Sequence, residues 1–133
     1  MITGTPLPPT GTHFITIEKA KELTGLYREK KNRLLTENYQ DTDTLPTSET
    51  FNRDIFDAIL KQKDCAGIRL YFGMDDEMRI KLIIVGVNEQ NRDILPSVYN
   101  NWEGIIGEEG TLCPPLCVPS ALNERRLEIF LAN

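Results

Sequence analysis

Between Cys65 and Val87 the apolar residues change period, and that change limits the folds open to this chain more than any other feature. In "AGIRLYFG" Ile68, Leu70 and Phe72 alternate with Arg69 and Tyr71, which puts the two sets on opposite faces of a strand. "MDDEM", Met74 to Met78, is a polar connection, and "RIKLIIVGV" follows as a second strand. Ile83 to Val87 is apolar on both faces, so this strand is central or covered on both sides. Together the two make an antiparallel hairpin. A bare hairpin is marginal in water, so a third strand or a partner chain must complete the sheet. Segment 98–106 is the expected third strand.

Upstream the period is helical. Thr16 is an N-cap, and Ile17, Ala20, Leu23, Tyr27 and Leu34 follow at steps that build one apolar face. Gly25 weakens that helix by about 1 kcal/mol relative to alanine and marks a place for a kink. A second helix is expected to start near Thr47 or Ser48. Glu49 and Asp54 stand toward its N-terminus and Lys61 and Lys63 toward its C-terminus, as the helix dipole favours. Phe51, Ile55 and Ile59 form its apolar row, widened by Phe56 and Leu60. Between the helices, "NYQDTDTLPTS" is a loop.

Residues 1–13, with three prolines and two glycines, cannot propagate a helix and read as an extended or disordered arm. After Val87, "NEQNRD" is a turn and "GEEGTLCPPLCVPS" a loop, while 121–132 fits a helix and a strand equally well. A length of 133 residues suits one domain. It divides into the arm (1–13), a helical part (14–63), and the sheet with the cysteine loop (64–133). The fold class is α+β: two N-terminal helices packed on a small, mainly antiparallel sheet built around one β-hairpin.

The net charge of -5 argues against nucleic acid or an anionic membrane as partner. No apolar run approaches the roughly 18 residues of a membrane helix, and the N-terminus lacks the pattern of a signal peptide. The expected location is cytoplasmic. An odd count of three cysteines does not describe a secreted disulfide framework.

Cys65, Cys113, Cys117 and His13 supply the atom types of a zinc site, but only Cys113 and Cys117 are closely spaced. The "CPPLC" loop between them has three readings: a stiff loop with free buried thiols, a disulfide or redox pair, and a metal clip. Residues that precede proline favour extended geometry, which tends to separate the sulfurs, so the stiff loop is preferred. His13, the only histidine, sits in the arm without a partner for catalysis. "DDE" at Asp75 to Glu77 is too short for a calcium loop. "REKKNR", Arg28 to Arg33, reads as a solvated helix face. "GIIGEEG", Gly104 to Gly110, lacks the spacing of a nucleotide-binding loop. Arg69 and Tyr71 share a strand face, with Lys81 across from it. This is a candidate face for an anionic or planar ligand or for a partner.

The pieces "CAGIRLYFG", "LIIVGVNEQNRD" and "CPPLC" together resemble a group of small bacterial proteins of unknown function, over about residues 51 to 123. The resemblance brings no activity, cofactor or catalytic residue. It implies that Cys65, Arg69 and the Cys113–Cys117 loop belong to one site. The sequence points to a non-enzymatic binding or protein-interaction module without a cofactor, its partner a protein, with a second copy in a homodimer among the candidates. The alternative is a thiol-based redox or metal-binding protein using Cys113 and Cys117 with Cys65.

Overall fold

The computed structural model describes residues 5–96 and 104–123. Its elements are α1 (Ile17–Lys30), β1 (Ser48–Thr50), α2 (Arg53–Leu60), β2 (Gly67–Met74), β3 (Ile80–Val87), β4 (Asp93–Ile94), β5 (Ile106–Gly107) and β6 (Thr111–Cys113). The chain is thus mixed helix and antiparallel sheet, as its two periods require.

β3 is the centre. β2 pairs along its whole length, from Gly67 opposite Val87 to Met74 opposite Ile80. On the other side β4 takes Gly86 and Val87, and β5 takes Ile84 and Val85. Ile84 to Val87 are buried, as an apolar run covered on both faces should be. Both hairpin turns are built alike. Asp75 and Asn88 each open a turn, with side-chain oxygens accepting backbone N–H groups two and four residues on. The fourth residue of each, Met78 and Asn91, takes positive φ (65° and 62°). This is the three-residue hairpin form, a tight turn closed by a left-handed residue. The second turn leads directly into β4.

The third place in the sheet therefore goes to β4 and β5. Residues 98–103 of the expected 98–106 strand lie outside the described residues, and only Ile106 of that segment belongs to a described strand. The cysteine stretch is also less irregular than its prolines imply. Thr111–Cys113 forms β6 and pairs with β1 from Ser48 opposite Cys113 to Thr50 opposite Thr111.

The expected start of the second helix is corrected by the same pairing: Thr47 and Ser48 do not begin it. Ser48–Thr50 is strand, and α2 starts at Arg53 behind an Asn52 cap whose side chain accepts from Asp54 N–H at 3.0 Å. Glu49 thus leaves the helix for the sheet. α2 packs on the face of β3 that carries Ile84 and Gly86. Ile59 is fully buried there, and a Cβ at Gly86 would stand 3.1 Å from its Cγ2. At Gly107 a Cβ would stand 2.6 Å from Ile55 Cγ1, so the two glycines set how closely the helix approaches.

Only α2 packs in this way. α1 begins at the Thr16 cap and runs through Gly25 without a break, but it ends at Lys30 and continues as a 3₁₀ turn over Lys31–Leu34. None of its residues is buried. Its C-terminal half is tied instead to the loop before β1: Tyr27 OH donates to Pro46 O (2.6 Å), and Lys31 Nζ to Leu45 O (2.7 Å). Partial burial accordingly raises the Tyr27 pKa and lowers that of Lys31. The expectation of two helices packed on the sheet reduces to one packed helix and one tethered helix. The arm has no regular structure from residue 5 to Thr16, and Leu7 reaches the sheet face beside Val87. Of segment 121–132, residues 121–123 form a turn and the rest lies outside the described residues.

Candidate functional site

Arg69 and Tyr71 point to the face opposite α2, as their alternation with Ile68, Leu70 and Phe72 requires. Asp93 points the same way, because it pairs with Val87 as Arg69 pairs with Val85. The three side chains meet. Arg69 Nη1 and Tyr71 OH both donate to the Asp93 carboxylate, and Arg69 Nη2 also donates to Asn91 O (2.9 Å) and to Asn91 Oδ1. The result is a polar strap that crosses β3 and joins β2 to β4. Burial opposes the Arg69 charge, but the bonds from Tyr71 and Asp93 outweigh it and raise the guanidinium pKa.

Lys81 lies on this face opposite Gly73 and is engaged by Glu108 at 2.5 Å. That hydrogen bond raises the Lys81 pKa and lowers that of Glu108. The candidate ligand face therefore has its three polar side chains satisfied from within the fold. The sequence did not single out their partners Asp93, Asn91 and Glu108. The one available signal was the repeat of an Asx-led, Arg-ended five-residue turn, which makes "NEQNR" a second hairpin and Asp93 a strand residue.

Glu49 also acts unexpectedly. Its Oε1 accepts Leu82 N–H at 2.8 Å, beside Ile80 N–H bonded to Thr44 O at 2.8 Å, so a side chain and a loop carbonyl cap the stretch of β3 that β5 does not reach. Glu49 Oε2 is buried with no hydrogen-bond partner among the described residues, and the field of Glu49 adds to that of Glu108 in raising the Lys81 pKa.

Those two bonds fix which way β2 faces. Even-numbered β3 residues turn their N–H groups away from β2, so the odd-numbered residues carry the β2–β3 ladder. On β2 the residues with outward N–H and C=O groups are then Ile68, Leu70, Phe72 and Met74. No described residue bonds to that edge. Side chains on the same positions are open as well: Phe72 is 81% exposed, Met74 53% and Leu70 48%. α2 is too short to cover them.

The cysteine loop departs from the preferred reading of free thiols. Cys113 and Cys117 are joined in a disulfide, with Cα atoms 4.7 Å apart. The extended geometry favoured before proline argues for separated thiols, but the chain reverses within the loop: Leu116 N–H returns to Leu112 O at 3.1 Å, and Cys113–Pro114 and Pro114–Pro115 are both cis. Cys113 is buried and its sulfur accepts from Thr47 Oγ1 (3.0 Å), while Cys117 is exposed. Cys65 is a free thiol bonded to Gly67 O at 3.3 Å, in a cleft of about 410 Å³ shared with Asp64, Asn88 and Glu89.

Cys65 and Arg69 stand on opposite sheet faces, since the Cys65 sulfur lies against Gly86 on the α2 side. The single site that would hold Cys65, Arg69 and the cysteine loop is not assembled. His13 is exposed on the arm. Among the described residues no group of three or more His, Cys, Asp or Glu is placed to hold a metal ion. No helix among them is long and apolar enough to cross a membrane.

No family model, curated protein or solved structure matches this chain. Its function has to be argued from the geometry itself.

Proposed function

We propose that this chain is a small non-enzymatic interaction module whose binding element is the free edge of β2 with the apolar side chains beside it. One observation carries this reading. β2 is eight residues long, its outward backbone groups are unpaired among the described residues, and Leu70, Phe72 and Met74 stand open along it. Edge strands in soluble proteins are normally shortened, charged, bulged or covered, because an open edge templates pairing with another chain. Here Arg69 is the only charge in the strand, and Asp93 holds it over the other face. Strand addition fits such an edge: main-chain bonds give affinity, and alternate side chains give selectivity. The acidic surface directs the module to protein partners, with a cytoplasmic location as the working assignment.

Titration of the labelled chain with a synthetic peptide carrying residues 67–74 tests this. Resonance shifts centred on the amides of Ile68, Leu70, Phe72 and Met74 are expected. A titration that moves none of them removes the reading.

A second reading rests on the Cys113–Cys117 disulfide, which joins a buried residue to an exposed one. An external dithiol would attack Cys117 Sγ, and Cys113 would leave as a thiolate next to the Thr47 hydroxyl. The second external thiol would then release Cys117, so that the dithiol is oxidised as the pair is reduced. A bridge that cycles belongs to the cytosol and a persistent one to an oxidising compartment. Counting free thiols in chain quenched directly from cells separates them: one free thiol in every molecule means a purely structural bridge.

A further inference from the structure

We infer that the occupant of the β2 edge is a second copy of this chain, running antiparallel to the first about a two-fold axis through Tyr71. This rests on the reading that β2 is a docking edge, and it names the partner.

The register follows from the positions of the outward groups. Ile68, Leu70, Phe72 and Met74 are spaced symmetrically about residue 71. A two-fold axis there sets Leu70 opposite Phe72 of the other copy and Ile68 opposite Met74. Each is a hydrogen-bonded pair that exchanges two bonds, and with their symmetry mates they give about eight backbone hydrogen bonds in all. Every cross-strand pair on the α2 face is then apolar with apolar, the combination that stabilises sheets. On the other face Tyr71 meets Tyr71 and Arg69 meets Gly73, so no like charges oppose each other. That matters for a chain with a net charge of -5, because two copies repel each other overall.

The antiparallel arrangement also sets Phe72 and Met74 of each copy alongside the half of the other sheet that α2 covers. At about 150–250 Å² for a fully exposed large side chain, Leu70, Phe72 and Met74, which are 48%, 81% and 53% exposed, offer roughly 550–900 Å² of apolar surface over two copies. Specific interfaces begin near 1,200 Å² in total, so the paired edges, Ile68 and Tyr71 must supply the remainder. The dimer therefore belongs to the small, concentration-dependent class.

The test is sedimentation of the full chain over a wide concentration range, combined with amide hydrogen exchange. The mass is expected to rise from one chain to two. As it does, exchange at Leu70 and Phe72 should slow severalfold, while Tyr71, already bonded to β3, stays as it was. Leu70→Pro deletes an outward N–H without touching the β3 ladder, and Phe72→Lys places a charge in the seam. Each should return the chain to monomer with unchanged circular dichroism.

A monomer at every concentration that still binds the 67–74 peptide overturns self-pairing and leaves the docking edge in place. A monomer that binds no peptide removes both. A dimer that survives both variants, or that leaves the Leu70 and Phe72 amides in fast exchange, uses another surface and overturns the inference.

Discussion

Replacing Asp93 by alanine should loosen the sheet from its β4 side. β4 holds only Asp93 and Ile94, so its ladder alone is a weak attachment. The strap from Arg69 and Tyr71 is what ties it across β3 to β2. Breaking a buried ion pair costs about 3–5 kcal/mol, and a hydrogen bond to a charged group contributes about 1.5–3 kcal/mol. Both figures need reducing here. The Arg69 side chain is 31% exposed and that of Asp93 17%, so water re-solvates part of what is lost. Arg69 also keeps its two Asn91 acceptors. A loss of roughly 2 kcal/mol follows, and at about 4 °C per kcal/mol for a domain of this size the melting temperature falls by about 8 °C. Asp93→Asn, which keeps an acceptor for Tyr71, should lose about half as much. Denaturant midpoints for Arg69→Met, Asp93→Ala and the double variant give the coupling, expected at about 1–2 kcal/mol. If Asp93→Ala stays within about 0.5 kcal/mol of the parent, the ordinary scatter of surface changes, the strap does not hold β4 and the reasoning fails.

Reduction of the Cys113–Cys117 bond opens a loop of sequence separation 4, for which the loop-closure relation gives about 2 kcal/mol. Thermal melts should show that loss on adding dithiothreitol, and Cys117→Ala should show it without further response to the reductant. Glu108 is held below its ordinary pKa by the Lys81 hydrogen bond, and Asp75 by backbone and side-chain bonds from Arg79. Their contribution is complete above the ordinary carboxylate range and drains away as pH falls through the depressed folded values. Melting temperature followed from neutral to acid pH should show this decline, and Glu108→Gln should make it shallower.

The hairpin was legible because two local rules agreed: alternation in β2 and a doubly apolar β3. The Thr16 cap was legible for a similar reason, since it needs only its own turn. The strand character of Ser48–Thr50 was hidden because the partner that makes it a strand, Thr111–Cys113, is remote in sequence, while the acid near a helix start looked like dipole pairing. Glu49 shows the cost of that ambiguity. The same carboxylate that suits a helix N-terminus caps a strand edge when the chain is extended. Arg69 and Tyr71 were found by their shared face, but what they do depends on Asp93, which reaches the face only after a second turn of the same kind. The disulfide was one of three readings open to the cysteine loop, and the extended geometry favoured before proline pointed away from it.

The far edge of β3 is sealed by unrelated pieces: the Thr44 carbonyl, the Glu49 carboxylate, β5 and β4. Their spread along the chain imposes an order of assembly. β2, β3 and β4 are joined by tight turns and can zip as soon as residue 94 is available. The Glu49 cap belongs to a strand that needs Thr111–Cys113 as its partner, and such non-local closure slows folding far more than it reduces final stability. Until that closure the part of the β3 edge that β4 does not reach stays open, in addition to the β2 edge, which no described residue covers in the finished fold. Open strand edges template pairing with other chains, and Glu49 closes this one only at Leu82, so it is a side chain supplied early but useful only late.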